Sequence, residues 1–383
     1  MMNRHAVYGM MALWIMAGCG DAPLGDTGKR IQAVGACNPA NSGHDCIHLN
    51  GAGVYIAATS PASDFGLRYG RFQWLLTGFT NTPTAVLANG WYEAPDAPVQ
   101  QDGQVTGAQY LGQSYTVRAL SVTGTAVTVS LADGAGQVFP VQGAALADLT
   151  LQLRVSDPSS TGNLQFVVRF SAPQTLPGYV EDLTGYSLLY RKDPAGDGIG
   201  TGSWSSQCLD PQGLTMPSIF SQGAHWDPAS AARTTGSERV TVSCQSGAIA
   251  TCMLWGYRPW ATAERQDNGQ AESLADYHQA CIHMKRAAYC GDAASYTTPG
   301  IDILMADPFD PASSVGEMPQ LEAYWSTNGA LCLNQPRYPS AQFQGCPAAL
   351  PPCPADPPAG WKLASGMPQP LGESIKKNGK KSR

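Results

Sequence analysis

Cys290 is the residue in this sequence whose type and neighbours best suit nucleophilic chemistry. It follows a segment carrying His278, His283 and Arg286, and a thiol beside an imidazole can form a thiolate and imidazolium pair. Its position opposes that chemistry. Cys290 falls just past a stretch with helical periodicity, where the negative helix end raises a thiol pKa. A disulfide is the first expectation for Cys290. A thiol enzyme or other extracytoplasmic hydrolase centred on it is the alternative.

Other spacings suggest chemistry and stop short of it. His44, Cys46 and His48 would share one face of a strand, and His278 and Cys281 stand three apart on a helix, both usable ligand spacings. Neither set is complete, so no metal and no cofactor is expected. The glycine-rich run 196–203 lacks the Lys-Ser or Lys-Thr end of a phosphate loop and reads as a long hairpin loop. Asp193 and Asp197 lack the alternating ligands of a calcium loop. Trp255, Tyr257 and Trp260 cluster around Arg258 and Pro259 and could stack on sugar rings or on a partner protein. The alternation from Cys252 through Leu254 reads first as a buried strand ending at Pro259. Signatures of serine hydrolases and zinc proteases do not occur.

The elements that would hold these residues follow from periodicity. Tyr115, Val117 and Ala119, then Val127, Val129 and Leu131, then Leu149, Leu151, Leu153 and Val155 repeat every second residue, the pattern of strands with one buried face. Gly124 and the pair Asp133-Gly134 sit where hairpins need positive φ. One helix is expected. Ser273-Leu274-Ala275-Asp276 resembles a capping box, Leu274, Tyr277, Cys281, Met284 and Ala288 draw a stripe, and Gly291 supplies a stop. Residues 300–304 look like a strand. Glycine (42) and proline (29) make up nearly a fifth of the chain, against roughly 12% on average, and charged residues (14%) fall well below the usual ~25%. That composition favours turns and strands over long helices.

The N-terminus gives an address. Arg4 precedes an apolar run from Ala6 to Gly18 that is too short for a span of ~20 residues and reads as a signal peptide. It ends Met16-Ala17-Gly18-Cys19, which resembles a lipobox, so Cys19 is the expected site of lipidation and the membrane a partner through that lipid. By resemblance to other lipoproteins, Gly20 gives no retention signal, and the outer membrane is the expected destination. Ten further cysteines, Cys37, Cys46, Cys208, Cys244, Cys252, Cys281, Cys290, Cys332, Cys346 and Cys353, form an even set suited to disulfides in an oxidising envelope. Cys37 with Cys46 and Cys346 with Cys353 are the simplest pairings. The chain carries a net −6, which argues against a nucleic-acid partner. Its basic cluster, Lys376, Lys377, Lys380, Lys381 and Arg383, follows a proline-rich stretch and reads as a solvated tail.

Several motifs together resemble a known family. Trp204 to Cys208, Cys252 to Trp260, Cys281 to Gly291, and Ala323-Tyr324-Trp325 through Cys332 are similar to the ADYC domain of bacterial lipoproteins, named for an Ala-Asp-Tyr-Cys motif. The resemblance covers roughly residues 176–346 and implies no established activity. This chain reads Ala287-Ala288-Tyr289-Cys290, with Ala288 where the family name has Asp, and Tyr296-Thr297 where relatives often carry His-Thr.

The expected organisation is α+β. A signal peptide (1–18) and tether (19–36) precede a β-rich module (37–173) built as an antiparallel sandwich or barrel. A disulfide-rich ADYC-like domain with one main helix (176–346) and a disordered tail (347–383) follow. The expected function is that of a lipid-anchored envelope protein with a binding or structural role. A carbohydrate-binding surface module is the other alternative, with an envelope polysaccharide or protein as the possible partner.

Overall fold

The apolar positions that alternate in the sequence line one side of a sheet. In a computed structural model, which describes residues 32–33, 67–69, 72–93, 98–156, 162–209, 214–227, 231–265, 268–291, 296–297, 303–309, 320–337 and 345–367, Leu149, Leu151, Leu153 and Val155 are all buried, as are Val127, Val129 and Leu131. The strand Gln113–Thr123 departs from simple alternation. A register shift between Val117 and Ala119 marks a bulge, after which Leu120 and Val122 are buried in place of Ala119. Gly124 makes its turn at φ +61° as expected. In the next hairpin the positive φ falls on Gly136 and not on Gly134, with the Asp133 carboxylate accepting from the amides of Ala135 and Gln137.

Among the described residues, sixteen strands form one antiparallel sheet. Strands from both sides of Pro173 share it. Phe72–Asn81 pairs with Arg233–Cys244, setting Phe79 opposite Val240, and Asn163–Phe170 pairs with Leu188–Lys192. The strands Gln113–Thr123, Ala126–Ala132 and Val138–Gln142 branch from Gly103–Tyr110 and bury their apolar side against the main sheet. Trp74, Leu76, Phe79, Leu120, Val129, Phe166 and Phe220 fill the core between them. Polar ties fix the two layers. The amide of Val127 donates to the Tyr186 hydroxyl at 3.0 Å, and the Asn81 side chain both accepts from and donates to the backbone of Leu120.

The central strands are buried on both faces. Leu75, Ile219 and Trp226 point away from the first core into a second. That core holds two helices, α1 (Ala248–Leu254) and α2 (Ala275–Arg286), and a smaller sheet that includes Ile303–Ala306, Leu363–Met367, Gln320–Ser326 and Gly329–Leu333. Leu363–Met367 lies inside the stretch expected to be a disordered tail. Instead it is an inner strand with a partner on each side, and Leu363, Ala364 and Ser365 are buried.

Four disulfides staple this half: Cys208–Cys244, Cys252–Cys281, Cys290–Cys346 and Cys332–Cys353. They correct the near-neighbour pairing of Cys346 with Cys353. The amide of Leu333 bonds to the carbonyl of Pro351, which lays the proline-rich segment beside Gly329–Leu333 and brings Cys353 to Cys332. Cys19, Cys37 and Cys46 lie outside the described residues, as do His44 and His48. Disulfides of this number mark an extracytoplasmic protein. Among the described residues no helix is long and apolar enough to cross a membrane.

Candidate functional site

Helix α2 carries most of the residues nominated for chemistry, so its surroundings decide what they can do. Ser273 accepts from the amide of Ala275 at 3.2 Å, but Asp276 does not close a capping box and pairs with Arg233 at 2.8 Å. The helix ends earlier than Gly291, on Ala287 at φ +51°. Every residue from Tyr277 to Arg286 is buried, because α1, the strand Ser218–Trp226 and the smaller sheet enclose it. The expected single apolar stripe is replaced by burial all round. Several polar groups on α2 are then held by protein partners, as is usual for buried polar atoms.

His278 places Nε2 3.0 Å from the carbonyl of Ile249, with its ring edge-on to Trp226. Burial depresses its pKa to about 4. His283 has Nε2 3.0 Å from the Gln279 amide and 3.1 Å from the Thr327 carbonyl. Lys285, also buried, donates to the carbonyl of Ser246 at 2.8 Å and to the Thr251 hydroxyl. Arg286 is buried at the end of the helix. Cys290 lies beyond it, joined to Cys346. The sequence-nominated thiol, imidazoles and guanidinium therefore do not converge on one open site, and Cys281 is bonded to Cys252 and so is not a metal ligand beside His278.

A depressed histidine pKa makes stability depend on pH. The unfolded His278 takes up its proton near pH 6.5 and the folded one only near 4, so its contribution is present above 6.5 and is lost as the pH falls toward 4. His225, lowered to about 4 by burial and then by Arg239, acts in the same direction. The loss expected from His278 is roughly 3 kcal/mol. Urea unfolding followed from pH 7 to pH 4 will show a falling midpoint, with a smaller fall in His278→Asn; equal slopes would contradict this account.

The opening nearest these groups is a cleft of about 390 Å³ lined by Arg233, Asp276, Gln279, His283, Thr327 and Asn328 among others. Its charged groups are already matched. Arg233 is paired with Asp276, and the Gln279 side chain spans Trp226, Ala231 and His283. Among the described residues no cysteine or serine lines it, and Thr327 is its one hydroxyl residue. The cleft's lining suits polar recognition.

The aromatic cluster also divides. Residues Cys252 to Leu254 belong to α1 and not to a strand. Trp255 and Tyr257 are buried, and the Tyr257 hydroxyl donates to Asp307 at 2.6 Å, with burial and then Asp307 raising its pKa. Trp260 is 38% exposed. The three rings do not form a common platform.

A model of the ADYC domain matches residues 143–339. The chain belongs to that family. The ADYC segment starts at 143 and not near 176, so it takes in the strands Leu149–Ser156 and Asn163–Phe170 that continue the sheet across Pro173. No curated protein and no solved structure matches the chain.

In this ADYC domain the signature positions tie α2 to the smaller sheet. Ala287 supplies the left-handed turn, and the amide of Ala288 bonds to the carbonyl of His283. The Tyr289 hydroxyl donates to Glu322 at 2.6 Å and accepts from the amide of Arg337 at 2.7 Å. Its ring stacks on Trp325 and on Tyr296. Burial and then Glu322 push the tyrosine pKa up. Glu322 also receives Arg337 at 2.9 Å, with both side chains fully enclosed, and Ser365 at 2.7 Å. Sequence reading missed Glu322 and Arg337, which are 15 residues apart in unrelated segments. No local motif marks either one.

Proposed function

We propose that this chain is a lipid-anchored cell-envelope protein whose exported body has a binding or structural role and not a catalytic one. The observation that carries this reading is the disulfide between Cys290 and Cys346, together with the packing of His278 and His283 against backbone carbonyls. The only nucleophile nominated with a base nearby is thereby spent on structure. The lipobox-like end at Cys19 supports a lipid anchor, residues 20–36 a tether, and Gly20 an outer-membrane destination. The partners are the membrane, through that lipid, and a polysaccharide or protein of the envelope.

Mass spectrometry of the protein extracted from membranes tests this. The expected product begins at Cys19 with a diacylglyceryl group, and Cys19→Ser moves the protein out of the membrane fraction. Cys290 takes no alkylating reagent before reduction. A mature chain without lipid, or a Cys290 alkylated in the unreduced protein, would overturn the reading.

A further inference from the structure

Five neighbouring strands, Gly103–Tyr110, Leu149–Ser156, Asn163–Phe170, Leu188–Lys192 and Thr201–Ser206, lie side by side in the large sheet. One face feeds the sandwich core through Leu151, Leu153, Phe166, Val168, Leu188 and Tyr190. The alternate positions make the opposite face. Register sets Gln109, Thr150, Arg169 and Leu189 in one row across it, and Gln104, Arg154 and Gln165 in another. This face holds three basic residues, Arg154, Arg169 and Arg191, and the five strands hold no Asp or Glu. That is a local excess of positive charge in a chain of net −6.

Trp204 organises two of the arginines. The guanidinium carbons of Arg169 and Arg191 lie 4.3 and 4.4 Å from the centre of its ring. Arg191 also donates to the carbonyl of Ile199. Among the described residues neither arginine forms an ion pair. Both sit on one ring, inside the ~10 Å screening length of 0.1 M salt. They therefore repel each other, and an anion bound to both would relieve that repulsion.

The glycine-rich hairpin loop, expected from the sequence, packs against this same face. A Cβ on Gly196 would meet Gln165 at 2.8 Å, on Gly198 would meet Gln152 at 1.8 Å, and on Gly200 would meet Val167 at 2.5 Å. Only glycines let the backbone approach so closely. The loop's two acids accept from its own amides, Asp193 from Gly198 and Asp197 from Ile199. Among the described residues neither forms an ion pair with Arg169 or Arg191.

We propose that the part of this face around Trp204, Arg169 and Arg191, beside the loop, binds an anionic polysaccharide, a sugar chain bearing carboxylate or phosphate groups. The proposal rests on the envelope-binding reading and names its ligand and surface. Two guanidiniums held at one indole offer N–H donors of the kind that suit carboxylate or phosphate, those of Arg191 being the ones left beside its bond to Ile199. Glutamine amides in the adjoining rows suit sugar hydroxyls. Beside Trp204 the apolar side chains are Leu189 and the exposed Ile199, against three arginines and several glutamines, so the surface is richer in polar donors than the apolar centre a protein interface uses.

The test uses the full lipidated chain in detergent, with the Trp204 environment read by fluorescence and affinity by titration. Polygalacturonate supplies carboxylates, a phosphomannan supplies phosphates, dextran is the neutral sugar and polyglutamate the polyanion without sugar. Binding to at least one anionic glycan, with dextran and polyglutamate at least tenfold weaker, is expected, and the preferred glycan identifies the acidic group. Arg169→Gln/Arg191→Gln should weaken binding tenfold or more, and Trp204→Ala about fivefold, with melting temperature and disulfide content unchanged. Equal binding to polyglutamate, failure with both anionic glycans, or unchanged affinity in the double variant would overturn the proposal. A protein that is lipidated on Cys19 yet binds neither glycan would lose this surface assignment and keep the envelope reading.

Discussion

Glu322→Gln should destabilise the protein by about 3–5 kcal/mol, the usual cost of stripping one partner from a buried ion pair. Its carboxylate accepts from Tyr289, Ser365 and Arg337 in a space closed to solvent. An amide presents one acceptor and one donor where three donors converge, and it leaves the guanidinium of Arg337 charged and unmatched. Arginine does not lose its proton to relieve this. Arg337→Met should cost less, because the Glu322 carboxylate left behind still accepts from Tyr289 and Ser365. Urea unfolding of the two variants checks the asymmetry. Equal losses would mean that the charge of the pair is not what holds this network. The Trp204 surface lies on other strands, so glycan binding should survive in whatever fraction remains folded.

Removing the Cys290–Cys346 bridge should cost about 4 kcal/mol, the chain-entropy value for a loop of this length, since 56 residues separate the two cysteines. The comparison is the Cys290→Ser/Cys346→Ser protein against the parent under non-reducing conditions. The bond leaves the end of α2 at the point where Tyr289 enters the smaller sheet. The loss should therefore appear first as exposure of Tyr289 and Trp325, which stack on each other. A double variant within 1 kcal/mol of the parent would show that packing alone fixes this junction.

Much of the strand content was legible because burial on one face leaves an alternating record, as in Leu149 to Val155. The strand Ser218–Trp226 left no such record. It is covered on both faces, so Ser218 and Ser221 are as buried as Ile219 and Phe220. The segment Cys252 to Leu254 misled for a related reason: a short helix inside a core is apolar all round, and two or three residues of it imitate a strand. The extent of the smaller sheet was hidden by composition. Proline-rich surroundings read as a tail, yet Leu363–Met367 fills the gap between two strands. Family resemblance found the segment that holds the signature, and geometry explains its tyrosine. The arginines around Trp204 were invisible as a group, since Arg169, Arg191 and Trp204 meet only across three paired strands.

The pairing of Phe72–Asn81 with Arg233–Cys244, and the late strand Leu363–Met367 between two earlier ones, have a consequence for biogenesis. The segment Phe72–Asn81 must wait for a stretch about 160 residues downstream, and the second layer is incomplete until Leu363–Met367 has been translocated. Such long-range closure slows folding. Until secretion finishes, a half-emerged molecule carries open sheet borders and reduced thiols. That interval is when this protein most needs chaperone cover, and a nonsense codon just ahead of Leu363 should yield degraded product and not a shortened working one.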